Sequence, residues 1–158
     1  VCFALLVLLS WVSDRFIGAF KLQAGNVNGY NDKYAPLSSN FKLGGKKLRG
    51  FKSGKIGPKD GVEYVGGNIG SAINLNTTLP NILSGYENVD LNLFLDAATL
   101  REVDYDSSLE SSSIRSAAGI SINVFTIIGP LSFSYAVPLT SEATDKTESF
   151  RFRIGTSF

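Results

Sequence analysis

The chain has 158 residues, of which 44% are hydrophobic and 18% are charged, and its formal net charge is +1. This near-neutral charge gives no indication of a nucleic-acid partner. The chain has no histidine and one cysteine, Cys2, which excludes histidine-based acid–base catalysis, His–Cys zinc sites and an internal disulfide. It also has no methionine, so we expect the sequence to be a fragment or a processed product.

Residues 1–14 are the hardest segment to interpret. The run Val1–Val12 is almost entirely apolar and uncharged, but it is too short for a membrane-spanning helix. It resembles the apolar part of a signal peptide, yet it has no basic start and no convincing cleavage site. It also does not alternate as a barrel strand should. A truncation artefact, meaning a misread or wrongly joined start, is the favoured explanation, and a buried strand or short helix is the alternative.

Six later segments, which begin near Arg15 and run to Phe158, alternate with the period of two that is typical of β-strands. Each is roughly 9–12 residues long, which is the length that a tilted strand needs to cross a bilayer. The apolar positions are Phe16, Phe20, Leu22, Ala24; Ile69, Ile73, Leu75; Val89, Leu91, Leu93, Leu95; Ile114, Ala118, Ile120, Ile122, Val124; Leu131, Phe133, Tyr135, Val137; and Phe150, Phe152, Ile154, Phe158. The opposing positions are mainly polar and include Lys21, Asn74, Asn76, Asp96, Arg115 and Arg151.

The connections between these segments alternate between long and short. The segment Gly25–Gly66 is very long, Ala98–Ser113 is long and polar, and Thr126–Pro130 is a tight turn. Outer-membrane barrels have long outward loops and short periplasmic turns. We therefore expect the Gly25–Gly66 loop on the exterior side and Phe158 on the periplasmic side.

The carboxyl end carries the clearest signal. Phe150, Phe152, Ile154 and Phe158 share one face of an extended strand, and the chain ends on an aromatic residue. This segment resembles the carboxy-terminal sorting signal of outer-membrane barrel proteins of Gram-negative bacteria. A soluble β-sandwich would alternate too, but it accounts less well for the segment lengths and the aromatic end.

These patterns predict an all-β fold, a transmembrane antiparallel β-barrel. About six strands cannot close a barrel, since the smallest single-chain barrels have about eight. An open sheet in lipid would leave two unpaired edges, which a bilayer does not tolerate. We therefore expect residues 15–158 to be the carboxy-terminal portion of a larger barrel.

The long loop contains a glycine-rich motif with one arginine. It reads Gly44-Gly45-Lys46-Lys47-Leu48-Arg49-Gly50-Phe51 and is followed by Ile56-Gly57-Pro58-Lys59. Loops of this length without periodicity are usually functional or disordered. The tetrapeptide Leu48–Phe51 resembles the V/I/L-R-G-F/Y motif on the sixth outer loop of the Omp85 superfamily, and the segments Gly129–Leu139 and Asp145–Gly155 are similar to its barrel-assembly members.

The resemblance implies a barrel of about 16 strands whose sixth outer loop, here residues 25–66, folds back into the lumen. A guanidinium removed from bulk water must find acceptors, and Asp96 lies on the inward face of the third segment. In the family the motif arginine pairs with an aspartate at a matching position. We therefore predict an Arg49–Asp96 ion pair that pins the loop. The family often has a second carboxylate on the second segment, where this chain has Asn76.

The resemblance also implies a seam at the terminal strand. In the family the last strand meets the first, and this seam opens sideways. Gly155 lies near the end of that strand and would weaken its pairing, so that the edge can template a client strand. The alternative is that Gly155 relieves crowding.

The function implied is the assembly and insertion of outer-membrane β-barrel proteins, without covalent chemistry and without a cofactor or metal. The implied partners are the outer-membrane lipid bilayer, unfolded outer-membrane protein clients and accessory periplasmic lipoproteins. The alternatives are a translocation or secretion transporter of the same superfamily and a passive porin. An outer-membrane enzyme would need a catalytic constellation that is not apparent here. The acidic outer loop with Asp104, Asp106 and Glu110 is a candidate cation site or, more simply, a solvated loop.

Overall fold

The regular secondary structure of the described residues consists of β-strands and two short 3-10 turns. The computed structural model describes residues 2–13, 16–29, 34–80, 88–104, 106–109, 111–127 and 129–155. The strands are β1 (Cys2–Val12), β2 (Ile17–Val27), β3 (Gly50–Phe51), β4 (Lys59–Asp60), β5 (Glu63–Tyr64), β6 (Ile69–Leu79), β7 (Val89–Arg101), β8 (Ile114–Thr126), β9 (Gly129–Thr140), β10 (Thr147–Glu148) and β11 (Phe150–Ile154). Two short 3-10 turns span Leu37–Ser39 and Ser107–Leu109. Within these ranges no helix is long and apolar enough to cross a membrane.

Seven of the strands form one antiparallel sheet in the order β1-β2-β6-β7-β8-β9-β11. The six predicted alternating segments correspond to β2, β6, β7, β8, β9 and β11, which confirms the all-β class. Two small ladders, β10 with β3 and β4 with β5, lie outside the sheet. The strands of the large sheet pair in the order in which they occur in the sequence once the short strands β3, β4, β5 and β10 are set aside, as expected for an up-and-down barrel wall.

The described part of residues 1–14 changes the expected number of strands. Cys2–Val12 forms an edge strand that pairs with β2 over its whole length, so the sheet has seven strands rather than six. The segment is a strand and not a helix, and it is exposed at Leu8, Leu9 and Trp11. The alternation pattern did not identify this strand because apolar residues occupy both faces: Leu8 pairs with Lys21 and Leu9 with Phe20.

The two faces of the sheet differ as the alternation predicted. On one face, Asp96 and Arg115 are fully buried, and Asn74 and Ser134 are nearly so. The apolar residues of the other face are exposed, among them Leu75, Leu93, Leu95, Ile120, Tyr135 and Val137. An apolar surface of this size is unfavourable in water and is the surface that a barrel presents to lipid.

The long connection from Asn28 to Asn68 covers the inner face where the structure describes it. Its apolar residues Leu43, Leu48, Phe51 and Ile56 form a buried cluster with small and apolar wall residues, namely Ala72, Ala98, Leu100 and Ala117. The hydrophobic core therefore lies between the loop and the sheet. Small side chains on the wall leave room for the loop to approach.

Candidate functional site

Arg49 and Asp96 are brought together on the inner face of the sheet. The Arg49 Nε donates to Asp96 Oδ2 at 2.7 Å, and its Nη2 donates to Oδ1 at 2.6 Å. The Arg49 backbone N–H also donates to Oδ2, at 3.0 Å. The carboxylate is fully buried and the guanidinium is 14% exposed. This fork-to-fork geometry is the strongest form of a hydrogen-bonded ion pair.

Neighbouring side chains hold both members of the pair. Asn76 Oδ1 accepts a hydrogen bond from Arg49 Nη2 at 2.7 Å, so a neutral amide oxygen joins the two carboxylate oxygens as an acceptor of the guanidinium. The Phe94 ring lies under the guanidinium, 3.6 Å from ring centroid to Cζ. Asn74 donates to Asp96 Oδ1 at 2.9 Å and to the Lys47 carbonyl at 3.0 Å. The contacts of Arg49, a loop residue, thus come from two strands of the wall, β6 and β7.

The rest of the predicted motif packs around this pair. Leu48 and Phe51 are fully buried, and the Gly45 N–H donates to the Phe51 carbonyl at 3.2 Å. Gly50 has φ +87°, and a Cβ there would lie 3.1 Å from Ala117 Cβ and 3.2 Å from Ala136 Cβ. Gly44, with φ +97°, would place a Cβ 2.6 Å from the Lys52 carbonyl oxygen. The glycines therefore allow both the turn and the close approach to the wall.

A second buried ion-pair network was not predicted. Arg115 Nε donates to Asp145 Oδ2 at 2.9 Å, and both side chains are fully buried. Arg115 Nη2 also pairs with Glu142, and Asp145 Oδ1 accepts the Gly57 N–H at 3.2 Å. Asp145 thus joins the wall, the outer connection after β9 and the lumenal loop. The available signal was an arginine on the inner face of a strand, which needs an acceptor.

The terminal strand β11 pairs with β9 and has no strand on its other side among the described residues. Phe150, Phe152 and Ile154 are exposed on the outer face, and the Phe152 and Phe133 ring centroids are 4.9 Å apart. Gly155 has φ +86°, and a Cβ there would meet no described atom within 4 Å. The described residues thus leave room for a side chain at Gly155, and its positive φ is the observed feature that favours glycine there. Phe158 lies outside the described residues.

The acidic outer loop is not assembled into a cation site within the described residues. Asp104 Oδ2 accepts the Ala35 N–H at 2.6 Å. Hydrogen bonds from the Ser108 side chain and backbone hold the pKa of Asp106 below its usual value. Glu110 lies outside the described residues. No group of three or more His, Cys, Asp or Glu side chains suited to a metal occurs in the described ranges.

Comparison with known proteins gives concordant matches. The Omp85 superfamily domain model matches residues 5–158, which includes most of β1. The outer membrane protein assembly factor BamA of Neisseria meningitidis serogroup B is 29% identical over 168 residues, covering 86% of this chain and 21% of that protein.

A solved structure is similar over nearly the whole chain. The crystal structure of BamA from Haemophilus ducreyi lacking POTRA domains 1–3 matches with a TM-score of 0.78 and 30% identity, covering 96% of this chain and 33% of that chain. The present chain therefore spans about a fifth of the length of the curated relative and a third of the solved one.

Proposed function

This chain belongs to the Omp85 superfamily, and from that premise we propose that it is the carboxy-terminal part of a barrel that assembles and inserts other outer-membrane β-barrel proteins. Both relatives described above are BamA proteins, and one is named an outer membrane protein assembly factor. The proposed activity requires no covalent step, cofactor or nucleic acid. The protein would therefore act as an insertion factor rather than as an enzyme.

The observation that carries the proposal is the weak terminal strand. Within the described residues, β11 has five residues in strand conformation, whereas its partner β9 has 12. The other edge of β11 has no strand partner among the described residues, and when such an edge is open its backbone donors and acceptors are a template for another strand. A client strand that pairs with this edge would enter the bilayer with its backbone already hydrogen-bonded, which removes the largest cost of strand entry.

The lumenal loop has a structural role in this proposal. Arg49 and Asp96 would pin the loop against the wall, with Gly44, Gly45, Leu48, Gly50 and Phe51 shaping it to the inner face. Because the pair is buried and bidentate, undocking would leave an uncompensated charge against the wall, at a cost of about 3–5 kcal/mol. A loop held this firmly supports the wall while the seam stays weak.

The seam itself would consist of Phe150, Phe152, Ile154, Gly155 and Phe158 with the strand that closes the barrel. Gly155 would permit a kink, because its positive φ is a conformation that other residues rarely adopt. The proposed partners are the outer-membrane bilayer, unfolded outer-membrane protein clients and accessory periplasmic lipoproteins. We further propose that residues 15–158 and β1 form one portion of the barrel, with 25–66 as its lumenal loop.

The test is client insertion by the complete protein in lipid vesicles. A disulfide between a cysteine placed near Gly155 and one on the closing strand would lock the seam. We expect the locked protein to lose client insertion and to regain it on reduction, while the same cysteines kept reduced serve as the control. Unchanged insertion by the locked protein would contradict the proposal.

A further inference from the structure

The start of the terminal strand is bonded to the lumenal loop as well as to the sheet. We infer that Arg151 is a positioning residue that ties β11 to the loop, so that docking of the loop sets the position of the outer end of the terminal strand. This inference deepens the proposed function and rests on it where client insertion is concerned. The tie itself can be measured without a client.

The side chain of Arg151 bridges the strand and the loop. Its Nη2 donates to the Phe51 carbonyl at 3.1 Å, and its Nε donates to Glu148 at 2.7 Å. Phe51 is fully buried in the core of the loop, so its carbonyl is a fixed acceptor. A Cβ at Gly45 would lie 3.1 Å from Arg151 Nη1, which indicates that this glycine leaves space for the guanidinium.

Backbone hydrogen bonds continue the same connection. Strand β10 pairs with β3, with Thr147 opposite Phe51 and Glu148 opposite Gly50. The Lys52 N–H donates to the Lys146 carbonyl at 2.9 Å, and the Lys146 N–H donates to the Lys55 carbonyl at 3.0 Å. Residues 146–148 therefore follow the loop, and the chain returns to the large sheet at Ser149, whose carbonyl accepts the Ala136 N–H at 2.8 Å. Gly50 is adjacent to Arg49, so this ladder begins next to the Arg49–Asp96 pair.

Beyond Arg151 the strand has no comparable tie to the loop. Phe152 and Ile154 pair only with β9, opposite Phe133 and Leu131. Arg153, the next side chain on the inner face, has no hydrogen-bond acceptor or ion-pair partner among the described residues. One end of the strand is therefore held by both the loop and the sheet, and the other by the sheet alone. Loop docking would fix the first end and leave opening to the second.

The experiment measures the position of the strand relative to the wall. Nitroxide labels are placed at Leu75 on β6 and at Ser149 before β11, both of which have accessible side chains. Pulsed electron paramagnetic resonance then measures the distance between the two labels. The sample is the complete protein in lipid nanodiscs, with native cysteines replaced. The variants are Arg151→Gln, Arg49→Ala and their combination. Arg153→Gln is the matched control, because it removes the same charge from the same face of the same strand.

We expect a narrow distance distribution for the wild type and for Arg153→Gln, and loss of the narrow peak in Arg151→Gln and in Arg49→Ala. The combined variant should be no broader than the broader single variant, since both changes break one connection. A distribution in Arg151→Gln that matches that of Arg153→Gln would overturn the inference. So would a narrow peak in Arg49→Ala, because the strand would then be independent of loop docking.

Two additions keep the outcome decisive. If Arg151→Gln does not fold, Arg151→Lys replaces it. A single ammonium cannot reproduce the guanidinium fork, so we expect partial loss of the narrow distance peak in Arg151→Lys. A distance peak as narrow as that of the wild type would overturn the inference. Client insertion by the unlabelled wild type is measured in parallel. Failure of that insertion contradicts the proposed function, whereas the distances alone decide the tie.

Discussion

At the scale of single residues, burial of charge makes Arg49 and Asp96 dependent on each other. Removing the arginine leaves the buried Asp96 carboxylate with no cation bonded to it, since its remaining side-chain partner is the Asn74 amide. We expect Arg49→Ala to lower the free energy of unfolding of the complete protein by about 3–5 kcal/mol. Asp96→Asn should cost a similar amount, because it leaves the largely buried Arg49 guanidinium with neutral acceptors only.

The double-mutant cycle separates this pair from two independent effects. We expect a coupling energy of roughly 1–3 kcal/mol between the two substitutions, measured by urea unfolding in detergent micelles. Arg101→Ala is the control, since Arg101 is exposed at the end of β7. Fully additive single effects, or a loss in Arg101→Ala as large as in Arg49→Ala, would contradict the pinning role.

Gly50 can be tested by a matched pair of substitutions. Gly50 and Gly61 both have positive φ, but a Cβ at Gly61 would meet no described atom within 4 Å. Both alanine variants should lose about 1 kcal/mol for the backbone conformation. Gly50→Ala should lose about 1–3 kcal/mol more, because the methyl group overpacks the contact with Ala117 and Ala136. Equal losses in the same urea titration would show that close packing at Gly50 is unimportant.

At the scale of elements, Asp145 connects segments that are far apart in the sequence. Its two oxygens serve Arg115 on β8 and the Gly57 N–H in the loop. Replacing the carboxylate by an amide weakens both bonds, because the charge that strengthens them is lost. We therefore expect Asp145→Asn to reduce the hydrogen-exchange protection of the loop around Gly57, measured by mass spectrometry on the complete protein.

The matched control for this prediction is Asp106→Asn. Asp106 lies in the other outer connection and accepts hydrogen bonds from Ser108 within its own turn. The substitution should leave exchange around Gly57 unchanged. If both variants, or neither, alter exchange in that segment, the proposed connection between Asp145 and the loop is refuted.

Some strands of this fold could be predicted from the sequence and others could not. Alternation identified β2 and the five later strands of the large sheet because each has one apolar and one polar face. It missed β1, whose residues Leu8 and Leu9 are apolar on opposite faces. It also missed β3 and β10, because a two-residue ladder between Gly50–Phe51 and Thr147–Glu148 depends on a contact across about a hundred residues, for which local pattern carries no signal.

The contacts of the candidate site were likewise predictable only in part. The position of Asp96 on the inner face followed from its register, and the structure brings it to Arg49. The partners of Arg115 could not be derived in the same way. Asp145 and Glu142 lie in an irregular connection after β9, where no periodicity fixes which side chains face inward. The contact between Arg151 and the Phe51 carbonyl could not be predicted from the sequence, because every residue has a backbone carbonyl and the residue type does not indicate which one accepts.

At the scale of the whole molecule, the chain is part of an integral β-barrel of the bacterial outer membrane, as a member of its superfamily. The described sheet ends at β1 on one side and at β11 on the other. In water both edges would pair with further strands or aggregate. In a bilayer each unpaired backbone group costs several kcal/mol, so neither environment stabilises an open sheet of seven strands.

We therefore expect the 158-residue chain, refolded alone in detergent micelles, to form oligomers or aggregates instead of a folded monomer. Pairing between copies of β1 and β11 is the available way to satisfy their edges, because the loop covers a face of the sheet and not its edges. Light scattering coupled to size-exclusion chromatography gives the mass of the particles. A band whose mobility in an SDS gel differs between the unboiled and the boiled sample reports a closed barrel that resists SDS. The complete protein is the control and should run as a folded monomer. A monomeric, SDS-resistant 158-residue chain would mean that the two edges pair with each other, and the requirement for further strands would then be refuted.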